Sequence, residues 1–202
     1  TLKRPSLNCL CSVAAGISHT TSENVGECSS LLDPSGASVL HDRAIRKNEV
    51  MTPSEISQKV VTGKIELVQR FVSQIEDIDL EPVEAFIGSP LNVAAGESNL
   101  RRSLEALLDL GRHVRARGFG VPAVEYGEIG PKMTTCGVLD RERGETLRKI
   151  GGYRNRLVHL YHEVTPEELH QILTTELQDV VDITESIKSW LAANPDRVNN
   201  DL

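Results

Sequence analysis

One short run of this sequence combines side chains that can move protons with side chains that can hold phosphate. It reads Arg154, Asn155, Arg156, Leu157, Val158, His159, Leu160, Tyr161. A histidine of near-neutral pKa can accept a proton from a ribose 2′-hydroxyl or donate one to a leaving 5′-oxygen, and a guanidinium can stabilise charge growing on phosphoryl oxygens. Arg154 and His159 are therefore the candidates in this run for such chemistry, which needs no metal. Asn155 is a third candidate, because its amide could orient the imidazole or the phosphate.

The spacing of these residues bears on how a site could be built. Asn155 and His159 are four apart and share a helix face, whereas Arg154 and His159 are five apart and diverge by about 140° at 3.6 residues per turn. The equivalent helix of a second subunit could complete the site across a two-fold axis, which favours a homodimer. On spacing alone, the more common case is a set of exposed polar residues followed by a histidine at a helix end, where the helix dipole favours it.

Other polar residues give weaker signals. His159, His162 and Glu163 do not form the H-E-x-x-H pattern of a zinc site, so we expect no metal. No glycine-rich phosphate loop lies between a strand and a helix, so we expect no cofactor. The lone histidines His113 and His170 are expected to be structural. A last pair on one helix, Asp109 and Arg112, could support the site or lie at the surface.

Composition favours an all-α fold. Only seven of the 202 residues are aromatic, while the chain is 39% hydrophobic and its aliphatic residues recur at helical spacing. We predict an up-and-down bundle of four to five helices that forms a dimer. The domain is expected to span 51–194, after a disordered extension over 1–50 and before a short tail over 195–202.

The expected setting is the cytoplasm, without a membrane span. The four cysteines show no disulfide framework, which suits a reducing compartment. No stretch approaches the about 20 apolar residues that a membrane-spanning helix needs.

Capping residues predict where the helices begin and end. The first helix is expected from Thr52 to about Ile78, and a turn of helix around Phe86 follows. The second should end near Gly118 to Pro122, and a weaker third should lie within 123–136. Asp140 should cap the fourth, which runs to about Tyr161, and Thr165 should cap a fifth that continues to Asn194.

The net charge of −7 arises entirely after residue 162. Residues 163–202 hold two basic and nine acidic side chains, whereas the earlier segments are balanced. Within 141–162, six basic side chains outnumber Glu142 and Glu145. This predicts a local basic patch around Arg154 that could hold phosphate.

Three segments of the sequence resemble the HepT-like branch of the HEPN superfamily. They are residues 152–169, which contain the R-x4-H run and the following Thr165-Pro166-Glu167-Glu168 cap, residues 99–113, which are similar to the second long helix of that family, and residues 136–139, which lead into the motif helix. The resemblance covers roughly Ser54 to Leu191.

The resemblance implies a homodimeric, metal-independent endoribonuclease that acts as the toxin of a toxin–antitoxin pair. Arg154 and His159 would be its R-x4-H residues, with Asn155 as the polar residue after the arginine. The motif extends to R-x4-H-x-Y, and Tyr161 matches the position to which an MNT-type nucleotidyltransferase antitoxin attaches AMP. Such a group would add charge and bulk beside His159 and exclude RNA phosphate.

Two other functions remain open from the residues. The chain could be a helical adaptor without catalytic activity that binds a nucleotidyltransferase, or a bundle that serves only assembly through its acidic last helix. Retention of arginine and histidine in the R-x4-H arrangement favours the nuclease.

Overall fold

A computed structural model describes residues 55–121, 125–159 and 164–199, which lie within one compact unit, Met51–Leu202. The predictions of a disordered segment over 1–50 and of a modified Tyr161 concern residues outside these ranges. The side chain of His159 also lies outside the described part of the structure. Within the described ranges, no helix is both long and apolar enough to cross a membrane.

The described residues form a helical bundle, as predicted. Seven α-helices and two short strands follow in chain order: β1 Ile56–Ser57, α1 Gln58–Glu76, α2 Val83–Ile87, α3 Pro90–Phe119, α4 Ile129–Thr135, α5 Arg141–His159, α6 Pro166–Thr175, α7 Leu177–Ala193 and β2 Val198–Asn199. A 3₁₀ turn over Tyr126–Glu128, called here the Tyr126 turn, leads into α4, and another over Pro195–Arg197 follows α7.

The first helix begins later than the sequence predicts. Thr52 was the expected cap, but α1 begins at Gln58, and the Ser57 hydroxyl accepts a hydrogen bond from the Val60 amide at 3.4 Å. Ile56 and Ser57 are instead extended, because they pair in parallel with Val198 and Asn199. The pairing also gives the expected tail an ordered place in the fold as far as Asn199.

The long helix α3 is the centre of the bundle, and its contact with α1 is the most extensive between any two helices described. The side chains that face inward from α3 recur at helical spacing and include Leu100, Leu104, Leu107, Leu108 and Val114. Gly120 ends the helix in the left-handed conformation, with φ of 64°. Such a residue is normally glycine because other side chains are strained there.

The predicted fifth helix is two helices, α6 and α7, separated by Glu176. The Thr174 and Thr175 hydroxyls donate to backbone carbonyls one turn back, at 2.9 and 2.7 Å. Hydroxyls that bond in this way weaken or bend a helix. Glu176, with a φ of −117°, is both the C-cap of α6 and the N-cap of α7. The sequence pattern missed this break because the apolar spacing continues across it.

Glycines bring α4 and α5 unusually close together. A Cβ atom on Gly130 would lie 2.0 Å from the Gly144 carbonyl oxygen, and one on Gly144 would lie 2.0 Å from the Thr134 hydroxyl. Both residues lie within or beside regular helix. They therefore allow the close contact that fixes α5 against α4.

Candidate functional site at the C-terminal end of α5

Helix α5 carries the predicted catalytic run and begins at its predicted cap. The Asp140 carboxylate accepts a hydrogen bond from the Arg143 amide at 2.8 Å, and this bond lowers the pKa of Asp140. The helix continues without interruption to His159. Arg154 and His159 therefore belong to one regular helix, and their backbone positions keep the angular offset expected from the spacing.

Arg154 is held by α3. Its Nη2 atom donates to Glu105 Oε1 at 2.9 Å, and its side chain is only 13% exposed. The Arg154 guanidinium also lies 4.5 Å from the ring centroid of Tyr126. Its Nε atom is buried and has no hydrogen-bond partner among the described residues. The guanidinium is thus fixed in place while part of its hydrogen-bonding capacity is unused.

The Tyr126 turn reaches Arg154 because α5 lacks a side chain at Gly151. A Cβ atom there would lie 2.8 Å from the Tyr126 carbonyl oxygen. The same ring contacts a second arginine, since the guanidinium of Arg112 on α3 lies 4.7 Å from its centroid. Two guanidiniums therefore converge on one aromatic ring beside the C-terminal half of α5.

The neighbouring residues of the run have different environments. Asn155 is exposed. Arg156 faces α6, where its Nη1 and Nη2 atoms donate to the two Glu168 carboxylate oxygens at 2.7 and 3.0 Å. The Arg156 guanidinium lies 5.5 Å from the Tyr153 ring centroid. Arg156 therefore joins α5 to α6, whereas Arg154 joins α5 to α3.

A model of the family described as Ribonuclease HepT-like matches residues 64–187, more than half of the chain. The chain belongs to the HepT-like ribonuclease family. Two relatives support this membership. The match to a candidate RNase of Archaeoglobus fulgidus is 28% identical over 129 residues, which cover 59% of this chain and 97% of the relative. The match to the tRNA nuclease HepT of Aphanizomenon flos-aquae is 20% identical over 138 residues, 68% of this chain and 94% of the relative.

Solved structures show that the fold is that of HEPN toxins. The chain is similar to a tri-AMPylated HEPN toxin of Shewanella oneidensis in complex with its MNT antitoxin, with a TM-score of 0.60 and 19% identity. That match covers 65% of this chain and 98% of the toxin. YutE, a cytosolic protein of unknown function from Bacillus subtilis, matches with a TM-score of 0.61 and 17% identity over 72% of this chain and 98% of its own.

The basic patch expected in this HepT-like chain is largely neutralised. Four of its six basic residues form ion pairs: Arg143 with Asp140, Arg148 with Glu145, Arg154 with Glu105, and Arg156 with Glu168. Counting charges within 141–162 missed three of these carboxylates because they lie outside that span. The positive field around α5 is therefore weaker than the sequence predicts. Any phosphate binding there would depend on individual arginines rather than on the summed charge.

The two other described histidines of the HepT-like domain make structural contacts. His113 Nε2 accepts a hydrogen bond from the Ser57 amide at 3.2 Å. Burial lowers the pKa of His113, and nearby Arg117 and Lys64 lower it further. His170 Nε2 lies 2.9 Å from the Leu80 carbonyl oxygen, and its ring packs against Phe86.

Sequence reasoning missed two residues of the site, Glu105 and Tyr126. A signal for Glu105 existed, because Glu105, Asp109 and Arg112 form a polar line at steps of four and three along α3. No comparable signal existed for Tyr126. Its place depends on the close approach of its turn to Gly151, which is a tertiary contact.

Proposed function

We propose that this protein is a metal-independent endoribonuclease and the toxin of a toxin–antitoxin pair, with Arg154, His159 and Asn155 as the active-site residues. Its membership of the HepT-like ribonuclease family supports the activity. The observation that carries the assignment is the state of Arg154, which is fixed by Glu105 and Tyr126 yet retains unused donors. A preorganised guanidinium of this kind suits a phosphate whose charge grows during reaction.

The proposed reaction transfers the phosphate within the RNA. His159 accepts the proton of the 2′-hydroxyl, the 2′-oxygen attacks the adjacent phosphorus, and the bond from phosphorus to the 5′-oxygen breaks. The 5′-oxygen takes up the proton that the His159 imidazolium returns, so the products are a 2′,3′-cyclic phosphate and a free 5′-hydroxyl, and the imidazole is again neutral. Arg154 stabilises the additional negative charge on the phosphoryl oxygens, and Asn155 orients the phosphate or the imidazole.

Cleavage of RNA by the purified protein in the presence of a chelator tests this reaction. We expect the parent to cut RNA and His159→Ala to lose the activity. His170→Gln is the matched control. It changes a histidine of the neighbouring α6 that contacts Leu80 and Phe86. Equal cleavage by the parent and His159→Ala would refute the assignment, and a purified parent without any RNase activity would favour the adaptor function.

We propose that the active unit is a homodimer in which Arg154 of one subunit acts with His159 of the other. The five-residue offset along the uninterrupted α5 supports this arrangement. Mixing Arg154→Ala protein with His159→Ala protein tests it. A shared site would restore about a quarter of the parental activity, because about half of the dimers are mixed and one of their two sites is intact. A site within one subunit would stay inactive in the mixture.

We propose that an MNT-type nucleotidyltransferase partner silences the protein by attaching AMP to Tyr161. Support comes from the fold shared with the AMPylated Shewanella oneidensis toxin, which was solved in complex with its MNT antitoxin. Intact-mass measurement after co-expression with an MNT-type nucleotidyltransferase tests this proposal. We expect AMP increments that disappear in Tyr161→Phe. The chain has three tyrosines, so Tyr126→Phe and Tyr153→Phe are the two matched controls. Both variants should keep the AMP increments.

A further inference from the structure

We propose that Arg112 is a second phosphate-binding residue of this site, which contacts an RNA phosphate close to the one that is cut. The inference rests on the proposed RNA cleavage and extends the site from α5 onto α3. It assigns to Arg112 a role in holding substrate, distinct from the role of Arg154 at the reacting phosphate.

The first observation is the incomplete pairing of Arg112. Its Nη1 atom lies 3.8 Å from Asp109 Oδ1, which is too long for a hydrogen bond. The same carboxylate is already held by Lys64, whose Nζ atom lies 2.8 Å from Oδ2. Arg112 Nε is buried without a partner among the described residues, while the side chain as a whole is 40% exposed. Because Nε is enclosed, the donors that an entering anion can reach are those on the Nη atoms of this partly exposed side chain.

The second observation is the position of Arg112 relative to Arg154. Their guanidinium carbons lie 4.7 and 4.5 Å from the centroid of the Tyr126 ring, so they are no more than 9.2 Å apart. Their carboxylate partners, Asp109 and Glu105, are one turn apart on α3. The two arginines are therefore spaced by rigid elements rather than by flexible loops.

The third observation is the charge around the ring. Three cations, Lys64, Arg112 and Arg154, share two carboxylates, Glu105 and Asp109. Two guanidiniums on one ring repel each other, and an anion between or beside them relieves that repulsion. A polyanion such as single-stranded RNA can supply phosphates to both. Because such contacts are made to the backbone, Arg112 would add affinity and orientation without reading the base sequence.

The salt dependence of RNA binding distinguishes a phosphate contact from a structural role. In a His159→Ala background, which binds without cutting, the affinity for a labelled single-stranded RNA oligonucleotide is measured over a range of salt concentrations. Arg112→Gln should bind more weakly and reduce the slope of log K against log salt by about 0.7, the value for one phosphate contact on a single strand. Arg112→Lys should keep most of the slope because it keeps the charge.

Arg102→Gln is the matched control. Arg102 also lies on α3 and also has its guanidinium over an aromatic ring, Phe71 at 5.6 Å, but it contacts neither Tyr126 nor Arg154 in the structure. We expect its slope to equal that of the parent. Thermal unfolding of all three variants shows whether a change in binding reflects a change in folding.

Two results would overturn the inference. If Arg112→Gln keeps the parental slope, or changes it no more than Arg102→Gln does, Arg112 does not contact phosphate, and RNA cleavage by the parent still stands. If the His159→Ala protein binds no RNA and the parent cuts none, the proposed function fails and the role of Arg112 fails with it.

Discussion

The two sides of α5 near its C-terminal end use the same residue types in different ways. Toward α6, Arg156 donates two hydrogen bonds to Glu168, and the two side chains are each 23% exposed. Toward α3, Arg154 makes one hydrogen bond among the described residues, to Glu105, and shares an aromatic ring with Arg112. An arginine whose carboxylate partner is fully engaged holds two helices together. An arginine that is fixed but incompletely paired can also bind a ligand.

Each side also contains a tyrosine, and the two tyrosines differ. Tyr153, toward α6, is buried, and its hydroxyl has no hydrogen-bond partner among the described residues. Burial raises its pKa, and Glu168 raises it further. Tyr126, toward α3, presents its ring to two guanidiniums. The contrast assigns a packing role to Tyr153 and a site-building role to Tyr126.

Exchanging the two arginines for glutamine tests the contrast most strongly. Arg154→Gln should lower RNA cleavage by about 100- to 1000-fold, the usual cost of removing a transition-state donor, with a smaller effect on folding. Arg156→Gln should lower the free energy of unfolding by about 1–3 kcal/mol, because Glu168 loses both charge-assisted hydrogen bonds, while the folded protein still cuts RNA. Single-turnover cleavage and urea denaturation measure the two effects. The reverse pattern would contradict the contrast.

Gly151→Ala should damage the side toward α3. The added methyl group would lie 2.8 Å from the Tyr126 carbonyl oxygen, so the Tyr126 turn must move away from α5. We expect a loss of about 1–3 kcal/mol in the free energy of unfolding, together with weaker RNA cleavage. Gly63→Ala is the control, because a Cβ on Gly63 meets nothing within 4 Å and should stabilise α1 by up to about 1 kcal/mol. Equal effects of the two substitutions would show that the Gly151 contact is unimportant.

Tyr126→Leu should have a smaller effect, limited to the site. Loss of the cation–π contacts, worth about 0.5–2 kcal/mol, should lower RNA cleavage by about 2- to 30-fold if that energy helps to position Arg154. Tyr126→Phe keeps the ring and should keep the activity. The ratio of the two cleavage rates measures the contribution of the ring. A Phe variant as weak as the Leu variant would assign the effect to the hydroxyl instead.

Tyr153→Phe should have the smallest effect near neutral pH. Removing a buried hydroxyl that lacks a partner should leave the free energy of unfolding unchanged or raise it by up to about 1 kcal/mol. In the parent the raised pKa keeps folded Tyr153 protonated, so the unfolded state binds fewer protons above about pH 10 and stability falls as pH rises. The Phe variant should lose less stability in that range. Thermal unfolding at neutral and alkaline pH checks both expectations.

Local signals predicted much of the bundle. Asp140 and Thr165 cap α5 and α6 as expected, since a polar side chain beside free amides needs only its near neighbours in the chain. The break at Glu176 was missed because apolar periodicity reports which face is buried and not where one helix ends and the next begins. The charged residue Arg115 of α3 is fully buried, which local sequence does not predict, and its Nη2 atom donates to the Val121 carbonyl oxygen at 2.7 Å.

The sequence by itself determined that the protein is helical, that α5 carries Arg154, Asn155 and His159 at helical spacing, and that the family is HepT-like. These properties depend on residue type and short-range order. Only the tertiary structure decided which arginine has unused donors, because the partners Glu105, Tyr126 and Glu168 come from other elements of the bundle. Ion pairing and ring contacts act over a few ångströms in space, and distance along the chain does not predict them.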